Sequence, residues 1–161
     1  MRATFFNPLA AGVLTASAML GTLAVPGTAV AAPVRADSTV RAEADRLMNL
    51  PYQEFAKASH VPPFNWTSDG CSVPTGLAPY SKVFRPACVQ HDFGYRNYGA
   101  DHELKLDPTR RTKNWIDGRF RTEMRRICED TYKAPLRLTN CRNAAQAYYL
   151  GVQIGGDRAF F

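Results

Sequence analysis

The chain has no internal repeat and no low-complexity linker, so it reads as one folded unit rather than an array. No segment alternates convincingly between apolar and polar side chains, which leaves no candidate strand and gives an all-α fold class. A G-x-S-x-G elbow is absent, and with it the exposed serine nucleophile that such a turn presents. Cysteine is scarce, and Cys71, Cys88, Cys128 and Cys141 form no C-x2-C pair. That spacing argues against a zinc site built from all four thiolates.

An apolar start comes first among the features that are present. Met1-Arg2 is followed by an almost wholly apolar or small stretch from Leu9 to Val25, then Pro26-Gly27 and the small-x-small site Ala29-Val30-Ala31. This order is that of a secretory signal peptide with cleavage expected after Ala31. The stretch is short for a membrane span of about 20 residues, and no basic stop-transfer cluster follows it. The reading is therefore a signal peptide at 1–31 and a single domain at 32–161, secreted and extracellular. Export places the four cysteines in an oxidising compartment, so two disulfides are expected, with three connectivities open. Without Arg2 the domain keeps 19 basic against 14 acidic residues, a net charge of +5. Such an excess suits phospholipid headgroups, nucleic acid or a cell wall alike.

Helical punctuation organises the rest. Pro33 to Asp37 reads as a loose segment, Ser38–Leu50 as a short helix ended by Pro51, and Tyr52–His60 as another short helical piece. Val61–Arg85 is rich in proline, glycine, serine and asparagine and reads as a long loop, a class of segment that is usually functional. Pro86 suits a first helical turn, so the next helix is expected over Ala87–Tyr98 with Gly99 as its stop. Asp107-Pro108 reads as an N-cap and first-turn proline for a helix running to about Tyr132. A last helix is expected from about Leu138 to Ile154.

The histidine-bearing helix carries the first chemical signal. At about 100° per residue from Pro86, Cys88, His91, Asp92, Tyr95 and Tyr98 fall within one face. Val89 and Phe93 lie opposite, so the helix should be buried, and buried polar groups need partners. In the next helix Ile116, Phe120, Met124, Ile127 and Cys128 make an amphipathic stripe with Asp117 near its middle, while Arg119, Arg125 and Arg126 lie off it. A carboxylate facing a core needs a donor or takes up a proton. Two donors stay open on these residues: Arg121 at the edge of the stripe, or His91 on a neighbouring antiparallel helix. In the second case the carboxylate would fix the imidazole tautomer and leave the other ring nitrogen free as a base.

Oxygen ligands are available beside that base. Asp92 follows His91 directly, and the loop Asp69-Gly70-Cys71 offers a second carboxylate and a carbonyl that glycine can turn inward. Calcium is held by such oxygens. An ordinary Asp-Gly turn is the plainer reading of the loop. A bridge from Cys71 to Cys88 would bring Asp69 and Asp92 to one ion.

Taken together, Phe64-Asn65-Trp66-Thr67-Ser68-Asp69-Gly70-Cys71 and Ala87-Cys88-Val89-Gln90-His91-Asp92-Phe93-Gly94-Tyr95-Arg96-Asn97-Tyr98 resemble the secreted bacterial and fungal phospholipase A2 family. Its hallmark is C-x-x-H-D-x-x-Y on a helix with an aspartate on the following long helix, which Lys113-Asn114-Trp115-Ile116-Asp117 matches. The similarity runs over about residues 64–154. The resemblance implies two long antiparallel disulfide-linked helices with shorter ones and a calcium-binding loop. It implies calcium-dependent hydrolysis of the sn-2 ester of glycerophospholipids by water. It carries over His91 as base, Asp117 as its partner, and Asp69, the Gly70 carbonyl and Asp92 as ligands to Ca2+. Tyr95 matches the tyrosine that supports the site, and the pairs Cys71–Cys88 and Cys128–Cys141 match the family's disulfides. Relatives carry a bulkier residue than glycine at position 70, and the glycine- and cysteine-rich calcium loop of the animal enzymes is missing.

Two other classes of function stand beside this one. A non-catalytic lipid-binding or effector module on the same scaffold would lack a catalytic residue, and none is missing. A nucleic-acid binder needs a basic stripe interleaved with exposed aromatics, whereas the helical aromatics here fall mostly on apolar faces. The expected partner is a phospholipid aggregate or membrane surface, met peripherally by a monomer. Arg110, Arg111, Lys113, Arg119 and Arg121 are candidates to meet anionic headgroups, or else form a solvated helix face.

Overall fold

The computed structural model describes residues 33–72 and 79–161. The expected signal peptide at 1–31 and residues 73–78 of the long loop lie outside the described residues. The described residues form helices α1 (Pro33–Asn49), α2 (Tyr52–Phe55), α3 (Ser81–Tyr98), α4 (Arg110–Thr131), α5 (Pro135–Gly155) and α6 (Asp157–Phe160), with no strand among them. The fold is all-α, as the absence of alternation implies.

Helices α3, α4 and α5 make the frame that positions everything else. Tyr98 meets Trp115, Gly94 faces Ile116 and His91 packs on Phe120, so numbers rise along α3 as they fall along α4. The two are antiparallel. The same holds for α4 and α5, where Cys128 is bonded to Cys141, Arg121 lies over Tyr149 and Asp117 meets Gln153. The stripe Ile116, Phe120, Met124, Ile127 and Cys128 is buried throughout. Its lower part joins Phe84, Cys141 and Tyr148 in one apolar cluster. Ile116 belongs to a second cluster with Leu47, Met48, Phe93, Tyr98 and Phe160, which α1, α3 and α6 close. Two disulfides, Cys71–Cys88 and Cys128–Cys141, tie the loop before α3 to that helix and α4 to α5.

Several helix boundaries differ from those the sequence suggests. The first helix starts at Pro33 rather than Ser38, since proline at a first helical position is pre-set for the helix rather than a sign of loose chain. Helix α2 ends at Phe55 instead of reaching His60. Helix α3 begins at Ser81, so Pro86 lies inside it and not in its first turn. Proline there removes one backbone bond, yet the turn before it is held by packing. Phe84 is fully buried, stacks on Tyr80 and meets Tyr148 edge-on, and the Ser81 and Tyr148 hydroxyls lie 3.0 Å apart. Tertiary burial overrides the local signal.

Helix α4 is capped by Thr109, whose hydroxyl accepts from the Thr112 amide, and not by Asp107. The Asp107 carboxylate instead accepts from the Thr112 hydroxyl at 2.6 Å and pairs with Arg41 at 3.2 Å. Pro135 opens α5 at a first-turn position, three residues before the expected start. The short α6 has no counterpart in the sequence reading. It places Phe160 in the core against Tyr95, and the Phe160 carbonyl accepts from the Ala100 amide at 2.7 Å.

Because Phe84 holds the part of α3 that precedes Pro86, Phe84→Ala is expected to destabilise the protein by about 3–5 kcal/mol in urea unfolding. A loss under about 1 kcal/mol would mean that this turn is held by something else.

Candidate active site

Helices α3 and α4 approach closely where a glycine allows it. A Cβ built on Gly94 would lie 2.8 Å from Cγ2 of Ile116 and 3.1 Å from Cε of Met48. One turn away, His91 Nε2 lies 2.9 Å from Oδ1 of Asp117. The imidazole is held between two rings, with centroids 4.2 Å from Tyr95 and 4.6 Å from Phe120. Of the two donors open to Asp117 on sequence grounds, His91 is the one in contact. Arg121 lies over the Tyr149 ring instead.

Asp117 is fully buried and accepts four hydrogen bonds. Its Oδ1 takes His91 and the Tyr95 hydroxyl, the latter at 2.8 Å. Its Oδ2 takes Lys113 Nζ at 2.8 Å and Gln153 Nε2 at 2.6 Å. Burial alone pushes the Asp117 carboxyl up, but the bonds from His91 and Lys113 outweigh it and hold the group below the ordinary carboxylate range. Burial and the charge of Asp117 together push the Tyr95 phenol far up, so Tyr95 acts only as a donor here. An ionised carboxylate with its lone pairs taken is a rigid anchor for the imidazole.

His91 opens onto a cleft of about 660 Å³ whose walls include Asp69, Gly70, Asp92, Tyr95, Phe120 and Tyr148. The Cys71–Cys88 disulfide, with Cα atoms 5.4 Å apart, pins the loop that carries Asp69 and Gly70 to the helix that carries Asp92. Gly70 has φ +78° with open space where a Cβ would stand, a backbone state that glycine adopts at little cost. The Ser68 hydroxyl donates to Asp92 Oδ2 at 2.5 Å and accepts from the Gly70 amide at 3.0 Å. Burial pushes the Asp92 carboxyl up from its ordinary value, and the charge of Asp69 adds to the rise. Asp69 accepts from the Ser72 hydroxyl, the main cause that lowers its carboxyl, and pairs with Arg96 at 3.1 Å. The described residues contain no group of three or more His, Cys, Asp or Glu side chains converging on one point.

Tyr98, placed beside His91 by helical spacing, and Lys113 and Arg119, two of the headgroup candidates, take other positions. Tyr98 leaves the His91 face and donates to Asp45 at 2.6 Å, inside the other core cluster. The real helix turns it toward α1, where buried area is available. Lys113 is not a surface cation. Its side chain is 1% exposed and its ammonium reaches Asp117 and the Val152 carbonyl. Arg119 is likewise committed, donating to the Met48 and Leu50 carbonyls at the end of α1 and to Glu123. Sequence reasoning missed Lys113, Gln153 and Ser68 as parts of the site. The four-residue step from Lys113 to Asp117 could have found the first. Gln153 comes from a helix whose register against α4 no local pattern reveals.

An all-helical, disulfide-stapled frame with a buried His–Asp pair at the floor of a cleft is a phospholipase A2-like fold. The chain belongs to the prokaryotic phospholipase A2 family, whose model matches residues 45–156. It is similar to a secretory phospholipase A2 of Beauveria bassiana, 35% identical over 108 residues that make up 67% of this chain and 52% of the fungal protein. A secretory phospholipase A2 of Arthroderma benhamiae is 28% identical over 111 residues, 66% of this chain and 69% of that protein. The chain thus spans about half the length of the Beauveria relative.

The tight contact at Gly94 generates a test. Gly94→Ala forces Ile116 or the helix pair to shift and is expected to cost about 1–3 kcal/mol in urea unfolding. Unchanged stability would show that the two helices can separate freely at this point.

Proposed function

We propose that the protein is a secreted, calcium-dependent phospholipase A2 that hydrolyses the sn-2 acyl ester of glycerophospholipids to lysophospholipid and fatty acid. The observation that carries this reading is the 2.9 Å contact between His91 and Asp117 at the floor of a cleft that Asp69 and Asp92 also line. Family membership and the names of the fungal relatives support it.

In this reading His91 is the general base. Asp117, itself held by the Tyr95 hydroxyl, fixes the ring by its Nε2 side, so Nδ1 is the atom that accepts a proton from water as the water attacks the ester carbonyl. As the acyl C–O bond breaks, Nδ1 returns that proton to the sn-2 oxygen, and lysophospholipid and fatty acid leave without a covalent intermediate on the protein. The Phe120 and Tyr95 rings on either side of the imidazole keep it from turning and limit its exposure.

The donor set at Asp69, Gly70 and Asp92 fits a hard divalent cation. Two carboxylates influence one another there, and Asp92 is destabilised as an anion by its burial and by Asp69. A cation relieves such a conflict. Asp69, the Gly70 carbonyl and Asp92 are the residues that would hold calcium, and Ser68 orients Asp92. When bound there, calcium supplies Lewis-acid polarisation of the ester carbonyl and a charge for the phosphate.

The expected partner is a lipid surface met peripherally by a monomer. No described helix is long and apolar enough to cross a membrane. Leu150 and Ile154 are 47% and 84% exposed on α5, beside the cleft-lining Gly151 and Gly155. Residues 1–31 serve as the export signal in this reading, which the secretory names of the relatives support.

Mixed micelles of a phospholipid with different acyl chains at the two positions test the proposal. Only the sn-2 acid should appear, and EDTA should abolish its release until calcium is restored. His91→Asn should lower the rate by about 10²-fold or more. Equal release by this variant, or release indifferent to EDTA, contradicts the mechanism.

A further inference from the structure

We propose that Lys113 is the positioning residue of the site, and that its charge, delivered through Asp117, locks His91 in the tautomer that carries its proton on Nε2. The inference rests on the function proposed above and names a device that the reading of His91 and Asp117 alone does not require.

The geometry leads there by elimination among the donors. Of the four groups that bond Asp117, His91, Tyr95 and Gln153 can be neutral, and Lys113 alone carries a fixed positive charge. Arg110, about one turn before Lys113 on α4, is committed to a paired bond with Asp157. Lys113 is 1% exposed on its side chain, and an ammonium has three protons to place. Asp117 Oδ2 at 2.8 Å and the Val152 carbonyl at 2.9 Å take two of them, and the Asp157 carboxylate stands 3.6 Å away as a further negative charge. The ammonium is therefore hydrogen-bonded to α4 and to the end of α5, with a carboxylate of α6 beside it, and these contacts keep it on Asp117.

The consequence for His91 follows from donor and acceptor rules. An ionised carboxylate only accepts, so any imidazole nitrogen bonded to it must be a donor. A protonated carboxyl can donate as well, and would then tolerate either tautomer. Lys113 supplies the counterion that a fully buried carboxylate needs to stay ionised. It thus forces the proton onto Nε2 and bares Nδ1 toward the cleft. Lys113 and Gln153 also saturate Oδ2, which leaves Oδ1 as the oxygen that His91 and Tyr95 share. Gln153 contributes direction without charge. Removing it should therefore leave the tautomer unchanged, whereas removing the charge should not.

The test reads the tautomer directly. Long-range proton–nitrogen spectra of the full domain with 15N-labelled histidine would be recorded for wild type, Lys113→Met and Gln153→Leu at one pH, with kcat and KM measured in parallel. The wild type and Gln153→Leu should show His91 as a single Nε2–H form. In Lys113→Met its two ring nitrogens should move toward averaged shifts, and kcat should fall about tenfold or more, as for other outer partners of a site. KM should stay within about twofold, because Lys113 lies behind the dyad and away from the cleft. A single Nε2–H form in Lys113→Met overturns the proposal, as does a kcat within about twofold of wild type. Should Lys113→Met not fold, Lys113→Gln carries the comparison, since it keeps a donor for Asp117 and loses the charge. An averaged signal there supports the proposal and an unchanged one overturns it. A wild type with the fixed tautomer but no phospholipid hydrolysis would refute the proposed function and leave the role of Lys113 standing.

Discussion

One carboxylate organises this molecule. Asp117 is removed from water altogether, and a buried charge is tolerated only when its lone pairs are met. Meeting them draws on three helices: His91 and Tyr95 from α3, Lys113 from α4 itself, and Gln153 from α5. The same bonds that make the carboxylate stable in the core also fix the angle at which the helices pack. Structural and chemical demands coincide, because the group that needs the donors is the group that orients the imidazole.

The rest of the architecture can be understood as support for that contact. Gly94 lets α3 and α4 close to the distance His91 requires. The Cys128–Cys141 bridge secures α5 along α4, which keeps Gln153 and the Val152 carbonyl in place around the Lys113–Asp117 pair. Helix α6 presses Phe160 on Tyr95 from the far side, and Gly156 makes room there: a Cβ at that position would stand 2.5 Å from the Tyr95 hydroxyl. Gln90 and Arg119 take the last carbonyls of α1, so the first helix is fastened to the same pair of helices that carry the dyad. The acidic loop is then the only catalytic element proposed that lies outside a helix, and the Cys71–Cys88 bridge pins it.

Much of this was legible before any coordinates. The position of Asp117 in the middle of an apolar stripe announced a buried charge, and a helical wheel placed His91 where it could answer. Absence of alternation gave the fold class. Less legible was anything decided across helices. Pro86 read as a start because local rules see the missing amide and cannot see Phe84 packed on Tyr80 and Tyr148. Lys113 read as a solvated cation because lysine is rarely buried, although its four-residue step to Asp117 held the clue. Tyr98 fell beside His91 on an idealised wheel, but in the fold it leaves that face and donates to Asp45 of α1. Gln153 could be found only by knowing the register of α5 on α4.

The central claim is that Asp117 serves the chemistry and not just the packing. Turnover by Asp117→Asn, set against its binding to phospholipid vesicles and its unfolding in urea, tests this most directly. The variant keeps the size of the side chain and an acceptor oxygen for Lys113. Hydrolysis is expected to fall by about 10²-fold or more while vesicle binding and folding persist. Hydrolysis within about twofold of wild type would contradict that claim and return the buried carboxylate to a purely structural part.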